Sequence, residues 1–560
     1  MEYRSALHAA GLAQIHPLSA AFAVLVVFAS VYLPPYRIDL DHWYPLVAAA
    51  TGIGNGMWPY FSGYDSGYGL LCPAFLALWL FCFGVSALSL STVIMLSNLV
   101  AGVASFVLIR RLTASPLLAL LGALYPLQGI GSHALGISRD FAVSSSFRAP
   151  VQIALCALLL HLSLGHKRGR WVPGFLFGLM VLWDPLFGAF AAAGFLFAHG
   201  YLLVRATGAA RTAHAQTLLA LCGGIVLPLA VIAVLGGTAA NPLETYRDIS
   251  AASRVAMLGY ANLPQHFDPI VIVAFLVAML YLALVLRRWT LHRRLTRTDL
   301  FLGASLIAAV PRVLYALGRS DPVHYLPLYW ALMPCAALLV CLCVRTHARR
   351  SRAGPGARPM PAAGFGRAST TAWLIGLIAC AYFWGSFPLD RILSTGNFAD
   401  RYESAQRTWQ KKCAAGDSCK QGDEPSLGNQ LRRASTPLRQ TALLGVDPLL
   451  LAACRDGIAV LSYADAWIYA TAGCYSPLRI PSINFLTTSA QFERAVRLMA
   501  GERHVLLDPV RSRYAGWRGE PLSEIKARLI GHGFTETGGC GRFSVMSKAD
   551  PAPVLRRLCG

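Results

Sequence analysis

The chain has 560 residues, of which 55% are hydrophobic and only 14% charged, with a mean hydropathy of +0.50. A soluble globular protein carries about 25% charged residues, so this composition excludes an ordinary soluble enzyme and points to a polytopic membrane protein. The net charge of +22 does not imply nucleic-acid binding, because no basic stretch carries the interleaved aromatics on which bases stack.

The first apolar stretch, residues 18–36, has the length of one membrane span and no small-residue cleavage pattern behind it. It reads as a retained first helix. Further spans are expected at 91–109, 114–128, 148–164, 171–184, 186–204, 215–236, 269–286, 300–317, 324–344 and 371–388, eleven in all. The apolar run 70–88 is long enough to be a twelfth, and charge decides the matter. If it does not cross, one side of the membrane receives Arg110, Arg111, Lys167, Arg168, Arg170, Arg205, Arg211, the arginines of 287–297 and those of 345–367. The other side receives only Arg37, Arg139, Arg247, Arg254 and Arg319 before the tail. This is the positive-inside distribution. It places the N-terminus in the cytoplasm, 70–88 against the outer half of the bundle, and residues 390–560 outside, as expected of a bacterial-type inner membrane protein. The Gly/Pro/Arg-rich segment 351–369 reads as a flexible cytoplasmic loop.

Eight of the 14 cysteines fall in apolar segments, where they act as small hydrophobes. The other six, Cys413, Cys419, Cys454, Cys474, Cys540 and Cys559, lie in the tail. An even number in an oxidising compartment suggests disulfides, with Cys413 and Cys419 close enough to pair locally. A zinc site lacks its CxxC spacing. In the tail, 458–462 and 504–508 read as buried strands, 489–500 and 521–532 as helices, and 542–547 as a last strand. A small C-terminal α/β domain is the expectation. Its Gly538-Gly539-Cys540-Gly541 stretch leads into a strand and not a helix, so it reads as a turn and not a phosphate cradle. A substrate-binding or positioning role is expected of the tail, which shows no nucleophile–base pair.

The chemistry is expected in the first outer loop, which runs RIDLDHWYPLVAAATGIGNGMWPYFSGYDSGYG over 37–69. Asp39, Asp41 and Asp65 lie among His42, Tyr64, other aromatics and glycines. Asp39 and Asp41 directly follow the first span, so they sit where membrane meets water. A carboxylate partly screened from water there can serve as a general base. The ordinary alternative for each acid is a solvated loop residue. Arg139-Asp140 and Arg148 lie in or beside the second outer loop. Arg319 and His324 lie in a short outer loop at 319–324. Arginine suits phosphate because its planar fork donates two parallel hydrogen bonds; the bland alternatives are capped turns and interfacial ion pairs. Asp184 and Arg312 fall within apolar spans, where a charge is a functional candidate by default, although both lie near the outer end and could snorkel. Arg247 and Arg254 belong to the outer segment 237–268.

This layout resembles the C-type (GT-C fold) glycosyltransferases, the superfamily of protein O-mannosyltransferases, aminoarabinose transferases and oligosaccharyltransferase catalytic subunits. Those enzymes carry an Asp-x-Asp-like element just after the first helix, which here is Asp39-Leu40-Asp41. The sequence GNGMWPYFSGYDSGYGLLCPAFLALW is similar to their run from a Gly and a PY element, through an acidic Tyr-Gly element, into an outer-face helix. The tail has no WWD-like element of the oligosaccharyltransferases. The resemblance implies a transmembrane catalytic region over 1–389, including a first outer loop of 37–90, and an extracytoplasmic domain over 390–560.

It also implies inverting transfer of a sugar from a polyprenyl-phosphate donor to the hydroxyl of a glycan, lipid or protein acceptor. Asp39 is the first candidate for base and Asp41 the second. His42, Tyr64, Asp65, Arg139, Asp140, Arg148, Arg319 and His324 are candidates for binding substrate. No cofactor is obligatory across the superfamily; a divalent cation such as Mg2+ or Mn2+ could take Asp39, Asp41 and Asp140 as oxygen ligands. Competing readings are a transporter or flippase of a lipid-linked sugar, expected to show repeats and broken helices, a polysaccharide polymerase or ligase, and a non-catalytic membrane assembly protein.

Overall fold

The computed structural model describes residues 37–38, 40–58, 61, 69–113, 116–124, 141–142, 144–165, 171–236, 247, 270–318, 448–462, 468–469, 478, 489–508, 521–540, 543–550 and 552–559, with isolated positions in 328–338 and 406–414. The expected spans 18–36 and 371–388 lie outside them, and 324–344 is described only at scattered helical positions.

The chain enters with β1 (Arg37–Ile38), α1 (Leu40–Gly54), α2 (Leu71–Phe83), α3 (Ala87–Thr113) and α4 (Pro116–Leu124). There follow β2 (Phe141–Ala142), α5 (Ser144–Gly165), α6 (Trp171–Trp183), α7 (Pro185–Arg205), α8 (Gly208–Gly236), α9 (Ile270–His292) and α10 (Arg297–Gly318). Among the described residues four helical stretches are long and apolar enough to cross a membrane: Leu88–Thr113, Phe147–Gly165, Phe187–Arg205 and Gly208–Val234. The chain is a multi-pass membrane protein. One expectation changes: residues 40–54, read as loop, form α1. Helix α6 keeps its expected bounds to within a residue and, with 13 residues, is about 20 Å long.

Helices α6, α7 and α8 run up, down and up. Gly174 lies against Thr217, and Gly178 against Leu221 and Gly224, so residue numbers rise together along α6 and α8. A Cβ at Gly178 would collide with the Leu221 carbonyl, so only glycine lets the two backbones touch, the close approach that drives helix association where lipid offers no hydrophobic gain. Helix α10 packs antiparallel on α7, with Ala304 at Gly194 and Arg312 at Phe187. Asp184, at the reversal between α6 and α7, and Arg312 therefore share one end of the bundle.

The first loop begins and ends at that same end. Strand β1 pairs in parallel with β2, Arg37 opposite Phe141 and Ile38 opposite Ala142, and β2 leads into α5. At the other end of the loop, the Leu70 N–H donates to the Leu182 carbonyl at 3.3 Å. Helix α2 has 13 residues, about 20 Å, and packs mainly on α1. It buries Cys72, Leu76 and Leu80 and exposes Phe75, Leu78 and Phe81. A helix of that length does not traverse the bilayer, in keeping with the reading of 70–88.

In the tail, α11 (Pro448–Arg455), β3 (Ala459–Leu461), α12 (Ser489–Ala500), β4 (His504–Leu507), α13 (Pro521–Gly531), β5 (Thr535–Cys540), β6 (Phe543–Ser547) and α14 (Ala552–Cys559) surround a four-stranded sheet of order β3-β4-β6-β5. Strands β3 and β4 are parallel; β6 is antiparallel to both β4 and β5. Val505, Leu507, Ile525, Leu529, Phe534 and Met546 form the core on one side of the sheet, and Val460, Leu506, Phe543 and Val545 on the other. The Gly-rich stretch is corrected: Gly538, Gly539 and Cys540 are strand β5, paired with Val545, Ser544 and Phe543. Ladder hydrogen bonds need no side chain, and the register shift between Glu536 and Gly538 is the bulge that glycine in a strand often marks.

Candidate functional site

Two helices start side by side where β1 meets β2. Asp41 and His42 fall in the first turn of α1, where a helix N-terminus favours negative charge. Arg148 falls in the second turn of α5. Of the other candidates, Asp39, Tyr64, Asp65, Arg139, Asp140, Arg319 and His324 lie outside the described residues, as does Arg254. Arg247 is exposed.

The best-defined part of the site is a polar cluster within the bundle end. Arg148 Nη1 and the Asp184 carboxylate form an ion pair at 3.3 Å, with their side chains 16% and 11% exposed. Asp184 is extended at φ −138° and its side chain makes no capping hydrogen bond to α7, whose Gly188 N–H donates to the Asp184 carbonyl at 2.8 Å. The neighbourhood is locked by Trp183 Nε1 donating to the Arg148 carbonyl at 3.1 Å. Gln152 Nε2 donates to the carbonyls of Met180 at 2.8 Å and Asp184 at 3.0 Å. Phe75 of α2, Phe147 and Trp183 form an aromatic cluster beside these residues, with centroids 5.6–6.2 Å apart. Gly69 (φ 83°) closes the corner: a Cβ there would strike the ring of Pro185 and the Trp183 carbonyl.

Arg312 is the second cation. It is 3% exposed, donates from Nη1 to the Ala308 carbonyl at 2.8 Å, and lies 4.8 Å from the Phe187 ring centroid. Among the described residues its Nε and the Gln152 Oε1 are buried without a hydrogen-bond partner. A buried guanidinium with an unused donor is costly unless an anion or ordered water joins it. The sequence singled out Arg148, Asp184 and Arg312 separately but not their convergence. Gln152, an amide in the middle of an apolar span, is the signal that was passed over. Among the described residues no group of three or more His, Cys, Asp or Glu is placed to hold a metal.

No protein-family profile and no curated protein matches the chain. The resemblance drawn from the first outer loop has a counterpart among solved structures. The chain is similar to the crystal structure of ArnT from Cupriavidus metallidurans bound to undecaprenyl phosphate, with 13% identity, a TM-score of 0.39, and coverage of 94% of this chain and 97% of that one. It is similar also to ArnT from the same organism in the apo state, with 13% identity and a TM-score of 0.37 over the same shares. A likeness this distant carries no functional argument, and the reading below rests on the residues.

Proposed function

We propose that the chain is an inverting, polyprenyl-phosphate-dependent glycosyltransferase of the C type, acting at the outer face of the membrane. The observation that carries the reading is the buried Arg148–Asp184 pair with the buried Arg312 at the same bundle end, the end where β1 and β2 pair. Asp39 directly follows β1, and Asp140 directly precedes β2.

In this reading Asp39, with Asp41 as the second choice, takes the proton from the acceptor hydroxyl as that oxygen attacks the anomeric carbon from the face opposite the phosphate. One displacement inverts that carbon. The leaving group is a phosphate anion and needs charge stabilisation more than a proton. Arg148 and Arg312 supply it from the bundle, and Arg139, Arg319 and His324 from the outer loops. His42, Tyr64 and Asp65 orient the sugar and acceptor. A divalent cation, where used, would be held by Asp39, Asp41 and Asp140 and would neutralise phosphate charge. Residues 390–560 form an extracytoplasmic α/β domain, a placement supported by the distribution of basic residues between the preceding loops. The acceptor is a glycan, a lipid or a protein, and the domain serves to bind or position substrate.

Asp39→Asn is expected to leave expression and thermal stability intact while abolishing sugar transfer from a polyprenyl-phosphate donor in proteoliposomes. Full transfer by that variant excludes Asp39 as base. Movement of the donor across the bilayer without transfer replaces the enzyme reading with the flippase reading.

A further inference from the structure

Helix α7 has 21 residues and is about 30 Å long, so its last residue, Arg205, lies at the membrane surface opposite Asp184. There the structure builds a second, unrelated feature. The Arg205 guanidinium carbon sits 5.5 Å from the Trp289 ring centroid and 6.0 Å from that of Tyr201. One nitrogen, Nη2, donates to the Arg293 carbonyl at 3.2 Å; its other donors have no protein partner among the described residues. The Tyr201 hydroxyl accepts from the Leu295 N–H at 2.9 Å. These bonds latch the turn after α9 onto the end of α7.

At the cap of α9 the chain carries a conformational cost. Arg293 has φ 52°, the left-handed C-cap geometry usually given to glycine or asparagine. Its N–H closes the helix on the Trp289 carbonyl at 2.9 Å. An arginine thus stands where glycine would be easier, and it is exposed, as are Arg294 and Arg211. None of these arginines forms an ion pair among the described residues. Residues 201–236 and 270–298 contain no acid at all. The nearest one following, Asp299, is buried and consumed in the cap of α10, where it accepts from Thr296 N–H at 2.8 Å and Thr296 Oγ1 at 2.7 Å. Beside the arginines, Val204 and Leu286 expose apolar surface at acyl-chain level.

We propose that this α7–α9 corner is a binding site for an anionic glycerophospholipid of the cytoplasmic leaflet. Arg205, held against two rings, and the exposed heads of Arg293 and Arg294 receive the headgroup phosphate, and Val204 and Leu286 receive the acyl chains. Positive-inside charge alone asks for basic residues in this loop. It does not ask for one clamped by two aromatics, nor for one placed at a left-handed cap. Basic pockets between transmembrane helices on the cytoplasmic side are the geometry in which anionic headgroups are held.

The test is native mass spectrometry of the purified full-length protein titrated with phosphatidylglycerol or phosphatidylcholine. The wild type is expected to retain phosphatidylglycerol selectively. The Arg205→Gln/Arg294→Gln double variant is expected to retain it about 30-fold less well, from a roughly fivefold contribution per arginine near an anionic surface. Arg294→Gln alone, at an exposed residue with no partner, should show about a fivefold loss with an unchanged melting temperature. Arg111→Gln, on another basic loop, should show none. Equal retention of phosphatidylcholine, no loss in the Arg294→Gln variant, or an equal loss in Arg111→Gln would each overturn the site.

Discussion

Asp184→Asn is the most informative single substitution, because the structure sets its expected cost. At 3.3 Å the gross attraction of the Arg148–Asp184 pair is about 5 kcal/mol at the effective dielectric that suits protein charges, much of it offset by desolvation. Removing one partner of such a buried pair leaves the other uncompensated, and about 3 kcal/mol of destabilisation is expected, the low end of the usual range because both side chains keep some water contact. Here the neutral asparagine leaves the Arg148 guanidinium without its carboxylate. Arg148→Met should cost less, about 1–2 kcal/mol, because the Asp184 side chain keeps some contact with water. The double variant should then be less destabilised than the sum of the singles by about 1.5 kcal/mol or more. Denaturant-titrated unfolding of the four proteins in one detergent measures the cycle. Additivity within about 0.5 kcal/mol would refute the account of this cluster as a coupled charge site.

Other outcomes follow from the same coordinates. Gly178→Leu should separate α6 from α8 and lower the melting temperature of the purified protein more than Gly200→Leu, because a side chain at Gly178 meets backbone while Gly200 faces open space. In the tail, Leu506→Ala, on the central strand β4, should cost about 2–5 kcal/mol in unfolding experiments on the full chain, Leu506 being fully buried. The Lys526 ammonium, 2.8 Å from Glu536, holds that exposed carboxyl below the usual glutamate range. The small stabilisation it gives is present above that range and lost as pH falls through the lowered value. Lys526→Ala should flatten that acid dependence of tail unfolding, and an unchanged slope would count against the pair.

The sequence made the long helices legible because nothing but an apolar run of 18 residues or more can satisfy its backbone within lipid. Helices α5, α7 and α8 lie close to their expected bounds for that reason. The same rule gives no purchase on α1, which occupies residues 40–54 that read as loop. In the tail, β3, β4 and β6 announced themselves by branched and apolar runs, whereas β5, rich in glycine and threonine, is held by its ladder to β6. The charge cluster was only half legible. Each of Arg148, Asp184 and Arg312 is conspicuous within an apolar stretch, but Arg148 and Asp184 are 36 residues apart, and only the reversal at Asp184 and the antiparallel seating of α10 on α7 bring the three together. The first-loop acids had the opposite character: their chemistry was suggested by spacing, and the β1–β2 pairing adds which second segment lies beside them.

The central claim is that Arg312 binds the phosphate of a lipid-linked donor, and equilibrium binding of polyprenyl phosphate tests it most directly. Measured in detergent by tryptophan quenching or scintillation proximity, Arg312→Gln should bind about 10- to 100-fold more weakly than the wild type, the loss of one charge-assisted contact, while Arg312→Lys recovers part of the affinity. Equal affinity in the Arg312→Gln and wild-type proteins, both folded, would contradict it.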